Sequence, residues 1–158
     1  THGGAVYRGE ERDAGRGPRE LALATRMHDM VAQKRAIGRY AASLVQPHMT
    51  LLMDGGSTVI VAAQLIEARP IQVVTTSLSI AQLFKDDDQV ELLLAGGSLY
   101  PRTEVTVGPI TTGTLSELNA DLLLFSLAGV YGDSAYNINL SMARVEQVML
   151  GQAARRVM

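Results

Sequence analysis

Four short runs, Leu51–Met53, Ile71–Thr75, Val90–Leu94 and Asp121–Leu127, are apolar almost without interruption, and they constrain this chain more than any other feature. A strand with one wet face alternates polar and apolar residues; a strand covered on both faces does not. Between the runs lie segments with helical character. Val59–Ala68 is closed by Arg69-Pro70, Leu78–Phe84 follows Thr76-Ser77, and Thr112–Asn119 and a last helix from Ser141 to about Arg156 complete the series. Strand and helix in turn predict an α/β fold, a mostly parallel sheet with helices on both faces. The 158 residues suffice for one such domain.

In parallel sheets of this kind, ligands bind at the carboxyl ends of the strands. Four loops leave strands there: Asp54–Thr58, Thr75–Ser77, Ala95–Ser98 and Ala128–Asn139. All are rich in Gly, Ser, Thr or Asn, and together they point to a polar small-molecule site. The first is the sharpest. Gly55 and Gly56 break the chain and allow backbone angles that other residues resist. Ser57 or Thr58 then caps the next helix, whose free amides suit a phosphate or carboxylate. Asp54 beside them would repel a phosphate, so it either accepts hydrogen bonds from sugar hydroxyls or closes an Asx-turn.

Catalysis has little support. There is no G-x-G-x-x-G, no phosphate-binding loop ending in Gly-Lys and no nucleophile elbow. The histidines at 2, 28 and 48 lack metal-ligand spacing, and the absence of cysteine removes thiolate sites and disulfides. No metal, cofactor or catalytic residue is expected. The net charge of −2 argues against a domain that holds DNA by itself. No apolar run approaches the roughly 20 residues of a membrane span, and a reducing cytoplasm is the expected setting.

Residues 1–18 have linker composition, with arginines at 8, 12 and 16 offset by interleaved acids. From Arg19 to Val45 one long helix is expected, with an apolar stripe at Leu23, Met27, Met30, Ile37, Ala41 and Leu44. The stripe is close to a seven-residue repeat, which suits a partner subunit and hence a homo-oligomer. Lys34 falls on the same face. It either lays its stem on apolar surface or is a cation aimed into a site.

Several motifs together resemble the C-terminal, effector-binding domain of DeoR-type bacterial transcriptional regulators. Thr1-His2-Gly3-Gly4-Ala5-Val6 resembles the hinge that follows their winged helix-turn-helix. Lys34-x-x-Ile37-Gly38-x-x-Ala41-Ala42, Met53-Asp54-Gly55-Gly56-Ser57-Thr58, Val74-Thr75-Thr76-Ser77-Leu78, Leu94-Ala95-Gly96-Gly97 and Asp121–Gly129 resemble successive family motifs, in order. The resemblance implies a fold similar to ribose-5-phosphate isomerase and glucosamine-6-phosphate deaminase. It implies a domain over residues 19–158 that senses a phosphorylated sugar or related metabolite and reaches DNA only through a separate N-terminal domain. The implied ligand-binding residues are Asp54, Gly55, Gly56, Ser57, Thr58, Thr76, Ser77, Gly96, Gly97 and Lys34.

The chain departs from the family pattern at Thr76, where Asn is frequent, and at Ser126, where Gly is usual. It departs again at Met142 and Glu146, where an acid and a lysine are usual. A further strand and an Asp-x-Ser-Lys stretch are expected beyond the last helix and to be missing here, leaving an open sheet edge and a domain truncated at its C-terminal end. The alternative is a sugar-phosphate isomerase or deaminase on the same fold, which would need an acid/base pair in the 128–139 loop. A third reading is a purely structural dimerisation domain whose glycine loops are only turns.

Overall fold

The computed structural model describes residues 21–158. The hinge and linker expected over 1–18 lie outside them. Five parallel strands form the main sheet in the order β3-β2-β1-β6-β9. These are β1 (Thr50–Met53), β2 (Ile71–Thr75), β3 (Val90–Leu94), β6 (Ala120–Leu124) and β9 (Ala153–Val157). Two antiparallel hairpins stand outside it: β4 (Ser98–Tyr100) with β5 (Val105–Val107), and β7 (Gly129–Tyr131) with β8 (Ser134–Tyr136). The helices are α1 (Leu23–His28), α2 (Val31–Ser43), α3 (Ser57–Ala63), α4 (Leu78–Phe84), α5 (Pro109–Ser116) and α6 (Leu140–Gly151).

Successive residues of β1 and β6 feed opposite cores, as the unbroken apolar runs require. Leu51, Met53, Leu122 and Leu124 pack with Ile60, Ile66, Ile80 and Phe84 beneath α1 to α4. Leu52 and Leu123 pack with Leu115, Val145 and Met149 beneath α5 and α6. The helices therefore cover both faces of a parallel sheet, as expected.

The long helix expected over 19–45 is instead two helices. The chain turns at Asp29, and Met30 adopts left-handed angles (φ 49°, ψ 42°) before α2 starts. The break lets α1 leave the axis of α2, bury Leu23 and donate the Leu23 amide to the Arg102 carbonyl at 3.0 Å. It also shifts the phase of the stripe. Met30 is 60% exposed and Ile37 52%, while Gly38, Ala41 and Val45 turn inward. At Gly38 the two helices α2 and α3 touch, for an added Cβ would lie 3.1 Å from the Ala62 amide nitrogen and from Val61 Cγ1.

The carboxyl-terminal end differs most from expectation. The last helix stops at Gly151 and is capped at its start by Asn139, whose Oδ1 accepts from the Ser141 and Met142 amides, rather than by Ser141. Arg155 and Arg156 do not end a helix; they lie in β9, which pairs with β6 and covers the edge expected to stay open. The strand was hidden because its side chains are mostly exposed, as in many edge strands, so no apolar run announces it. Val105–Val107 is the second arm of the β4–β5 hairpin, and part of the 128–139 loop is the β7–β8 hairpin. Helix α3 ends five residues short of Ala68, and α5 starts at Pro109 with proline in its first turn. No helix of the described residues is long and apolar enough to cross a membrane.

Replacing Gly38 by valine forces α2 off α3. Chemical denaturation of Gly38→Val is expected to show a loss of about 1–3 kcal/mol, with the fold retained by circular dichroism.

Candidate functional site

Strand order reverses beside β1: the chain moves from β1 outward to β2 and β3, then returns to place β6 on the other side. The carboxyl ends of β1 and β6 therefore flank a topological switch point, where open α/β sheets form their ligand crevice. Asp54 extends the ladder there, its amide donating to the Leu124 carbonyl at 3.0 Å. Ile60 donates the first bond of α3 to the Gly56 carbonyl at 2.9 Å, so the amides of Ser57, Thr58 and Val59 lie ahead of the helical ladder.

Gly55 and Gly56 are required for space rather than for unusual backbone angles. Gly56 has ordinary extended angles, φ −74° and ψ 147°. A Cβ on Gly56 would lie 1.7 Å from Ser126 Oγ and 2.8 Å from Ser126 Cβ, and one on Gly55 would lie 2.1 Å from Val105 Cγ1. The loop is thus pressed between the end of β6 and strand β5.

Strand β5 crosses the carboxyl ends of β2 and β3. The Thr106 amide donates to the Thr76 carbonyl at 2.8 Å, and the Thr106 hydroxyl donates to the Ala95 carbonyl at 2.6 Å. Thr76 and Ser77 are buried beneath it. Ser77 is occupied structurally: its hydroxyl accepts from the Ile80 amide and caps α4, while its amide donates to Thr75 Oγ1 at 3.0 Å. Gly96 and Gly97 sit farther along the sheet edge against α5, where Thr111 Oγ1 donates to the Gly96 carbonyl at 2.7 Å. Gly97 has φ 143°, and a Cβ there would strike Thr111 Oγ1 at 2.1 Å.

Asp54 is 6% exposed. Burial pushes its carboxyl above the usual carboxylate range. Hydrogen bonds from the Gly55 and Ser126 amides and the Ser126 hydroxyl, with the positive field of Arg26, oppose that push without cancelling it. Asp54 and Thr76 line a narrow cleft together with Val105, Thr106, Met142, Val145 and Glu146. On the other side of the loop, Thr58 and Ser126 border a mainly apolar cleft of about 230 Å³ that includes Ile37, Phe125, Val130 and Val157.

The expected site residues therefore divide. Asp54, Gly55, Gly56, Ser57, Thr58, Thr76 and Ser77 converge at the switch point. Gly96 and Gly97 line neither of these two clefts. Nor does Lys34: its ammonium donates to the Arg26 carbonyl, and to the Asp29 carbonyl at 2.7 Å, tying off the end of α1. Favourable cation placement at a helix C-terminus explains that position. Thr106 and Glu146 enter the polar cleft without having been expected there. Glu146 was legible as one turn beyond Met142 on α6, but nothing local says which face of α6 meets the sheet. The β7–β8 hairpin did carry a signal, Gly132-Asp133 between two short runs, with Gly132 at φ 56°.

Two outcomes follow. Gly56→Ala is expected to cost about 1–3 kcal/mol, and Ser126→Gly is expected to restore part of it, giving a coupling of about 0.5–3 kcal/mol in a double-mutant denaturation cycle. For Asp54, the folded chain holds its proton to higher pH than the unfolded chain, whose ordinary value is 3.8. Its contribution to stability is thus present below that value and lost as pH rises through the folded value. Thermal melts should accordingly show Asp54→Asn gaining on the parent chain between about pH 4 and pH 8; a difference flat across that range would contradict the burial argument.

Comparison with known proteins identifies the family. The DeoR C terminal sensor domain matches residues 29–158. The chain is 26% identical over 140 residues to the lactose phosphotransferase system repressor of Streptococcus mutans serotype c, covering 87% of this chain and 56% of that protein. It is 29% identical over 131 residues to the HTH-type transcriptional repressor GlcR of Bacillus subtilis, covering 81% and 50%. Against the HTH-type transcriptional regulator UlaR of Shigella dysenteriae serotype 1 it is 26% identical over 126 residues, covering 79% and 49%. The chain spans about half the length of these curated relatives. With the parallel sheet and its loops in place, and a family match running from α2 to the last strand, the chain belongs to the DeoR C terminal sensor domain family.

Proposed function

We propose that this chain is the effector-sensing part of a cytoplasmic, DNA-binding transcriptional repressor, and that its effector is a phosphorylated sugar or related metabolite. The observation that carries the reading is the convergence at the switch point. The amides of Ser57, Thr58 and Val59 precede the α3 ladder there, beside the buried Asp54 and Thr76. Backbone amides and the Ser57 and Thr58 hydroxyls suit a phosphate. Asp54 suits the hydroxyls of an attached sugar, and the 128–139 segment offers one acid, Asp133, where an isomerase or deaminase needs an acid/base pair, which favours binding over turnover. The names of the relatives, repressors and regulators with one assigned to a lactose phosphotransferase system, fit the same reading.

DNA is reached through a separate N-terminal domain, and the effector acts by preferring one arrangement of subunits over another. The exposed Ile37 and Tyr40 of α2 suit the packing of a homo-oligomer. Gly96, Gly97 and Lys34 remain part of the proposed ligand set only if the effector or a subunit rearrangement draws them in.

A thermal-shift panel of triose, pentose and hexose phosphates, with the parent sugars as controls, tests this. At least one phosphate is expected to stabilise the chain where its unphosphorylated sugar does not. Thr58→Val is expected to weaken that binding by about ten- to a hundredfold, the equivalent of one charge-assisted hydrogen bond. Equal stabilisation of parent and variant would remove the loop from the site.

A further inference from the structure

One guanidinium near the loop stands without a partner. Arg26 lies on α1 one turn after Leu23 and next to Met27, and both of those side chains turn into the core that also holds Met53, Val59 and Ala62. It therefore belongs to the side of α1 that meets α3. The side chain is half-buried. Its Nε is enclosed and has no hydrogen-bond partner, while the two terminal nitrogens stay accessible. Among the described residues the guanidinium makes no hydrogen bond and no ion pair. Its charge is felt at Asp54, where it favours the ionised carboxyl, yet burial holds that carboxyl toward its neutral form. Arg26 is thus left with its charge uncompensated beside the loop, a costly state for a half-buried cation.

The backbone that carries Arg26 is tethered on both sides. The Leu23 amide donates to the Arg102 carbonyl at 3.0 Å, and the Arg26 carbonyl accepts from the Lys34 ammonium and from the Asp29 amide, the latter at 3.3 Å. A cation on so short and firmly held a helix is preorganised. Lys34, the cation expected at the site, is occupied in that tether. Neither cleft bordering the loop is lined by a lysine or arginine among the described residues.

We propose that Arg26 is the effector-binding cation of this domain, and that it grips an oxyanion group of the effector, a phosphate or a carboxylate, brought beside the Asp54–Thr58 loop. The inference rests on the effector-sensing reading above, though not on the anion being a phosphate. A guanidinium presents parallel N–H donors that match two oxygens of either group. It supplies the full positive charge that backbone amides and hydroxyls lack. Asp54, held toward its neutral form, repels the incoming anion less than an ionised carboxylate would.

The test is isothermal titration of the purified chain and of Arg26→Gln with inorganic phosphate, triose, pentose and hexose phosphates, gluconate and the neutral parent sugars. At least one of the anions is expected to bind the parent chain, and Arg26→Gln is expected to weaken that binding about ten- to a hundredfold. Without ligand, Arg26→Gln is expected to melt no lower than the parent, because removing an unpaired charge breaks no ion pair. In the parent chain the Nε–H resonance of Arg26 is expected to move when the anion is added, a readout that does not need the variant to fold. Unchanged affinity in a folded Arg26→Gln, or an unmoved Arg26 resonance in the saturated parent, overturns the inference and leaves the phosphate reading standing. Arg26-dependent binding of gluconate with no binding of any phosphate upholds the inference and overturns the phosphate reading. Failure of every anion to bind the parent chain overturns both.

Discussion

Everything at the carboxyl end of the sheet depends on how closely β1 lies between its neighbours. Its residues pair in parallel with β2 on one side and β6 on the other, and its side chains are buried on both faces. The chain leaving such a strand has almost no room. Two glycines in succession are the only residues that fit between Val105 and Ser126 without displacing them. That lack of space fixes where Asp54 ends and where α3 begins, and so where three helix amides and a buried carboxyl come together.

The same crowding joins the two sides of the molecule. Strand β5 is tied to Thr76 and Ala95 through Thr106, and α6 brings Glu146 to the cleft from the opposite core. A ligand group seated between Asp54 and Glu146 would thus touch elements anchored in both hydrophobic cores. A small displacement there is not absorbed locally, because close-packed interiors move as units. Helix α3, which starts at this loop, in turn meets α2 at the close Gly38 contact.

Asp54 and Lys34 show how a charged residue can be placed by two different demands. Asp54 is held in a buried position by amides and a hydroxyl from two strand ends, at an electrostatic cost that burial imposes. Lys34 is drawn to the carbonyl end of α1, where its charge complements the helix terminus. One faces a cleft and the other a helix end, although both lie in segments that resemble family motifs.

The amino-acid sequence by itself determined the class of fold and the central strands, since β1, β2, β3 and β6 are runs whose lack of alternation admits only a doubly covered sheet. It also determined which loops sit at the carboxyl end of the sheet, because the order of strands and helices in a parallel sheet puts each strand-to-helix loop there. Tertiary structure alone decided the rest. The break at Met30 follows from where α1 must pack, and β9 exists because β6 offers it an edge, not because Ala153–Val157 carries a strand pattern. Gly55 and Gly56 look like residues chosen for their torsions, and only the neighbours at 105 and 126 reveal that they are chosen for size. Glu146 lies far from Asp54 along the chain, and only the docking of α6 on the sheet brings the two carboxyl groups to one cleft. Local pattern reports how a segment is covered, whereas contacts between distant segments depend on which faces meet, and that is a property of the packed whole.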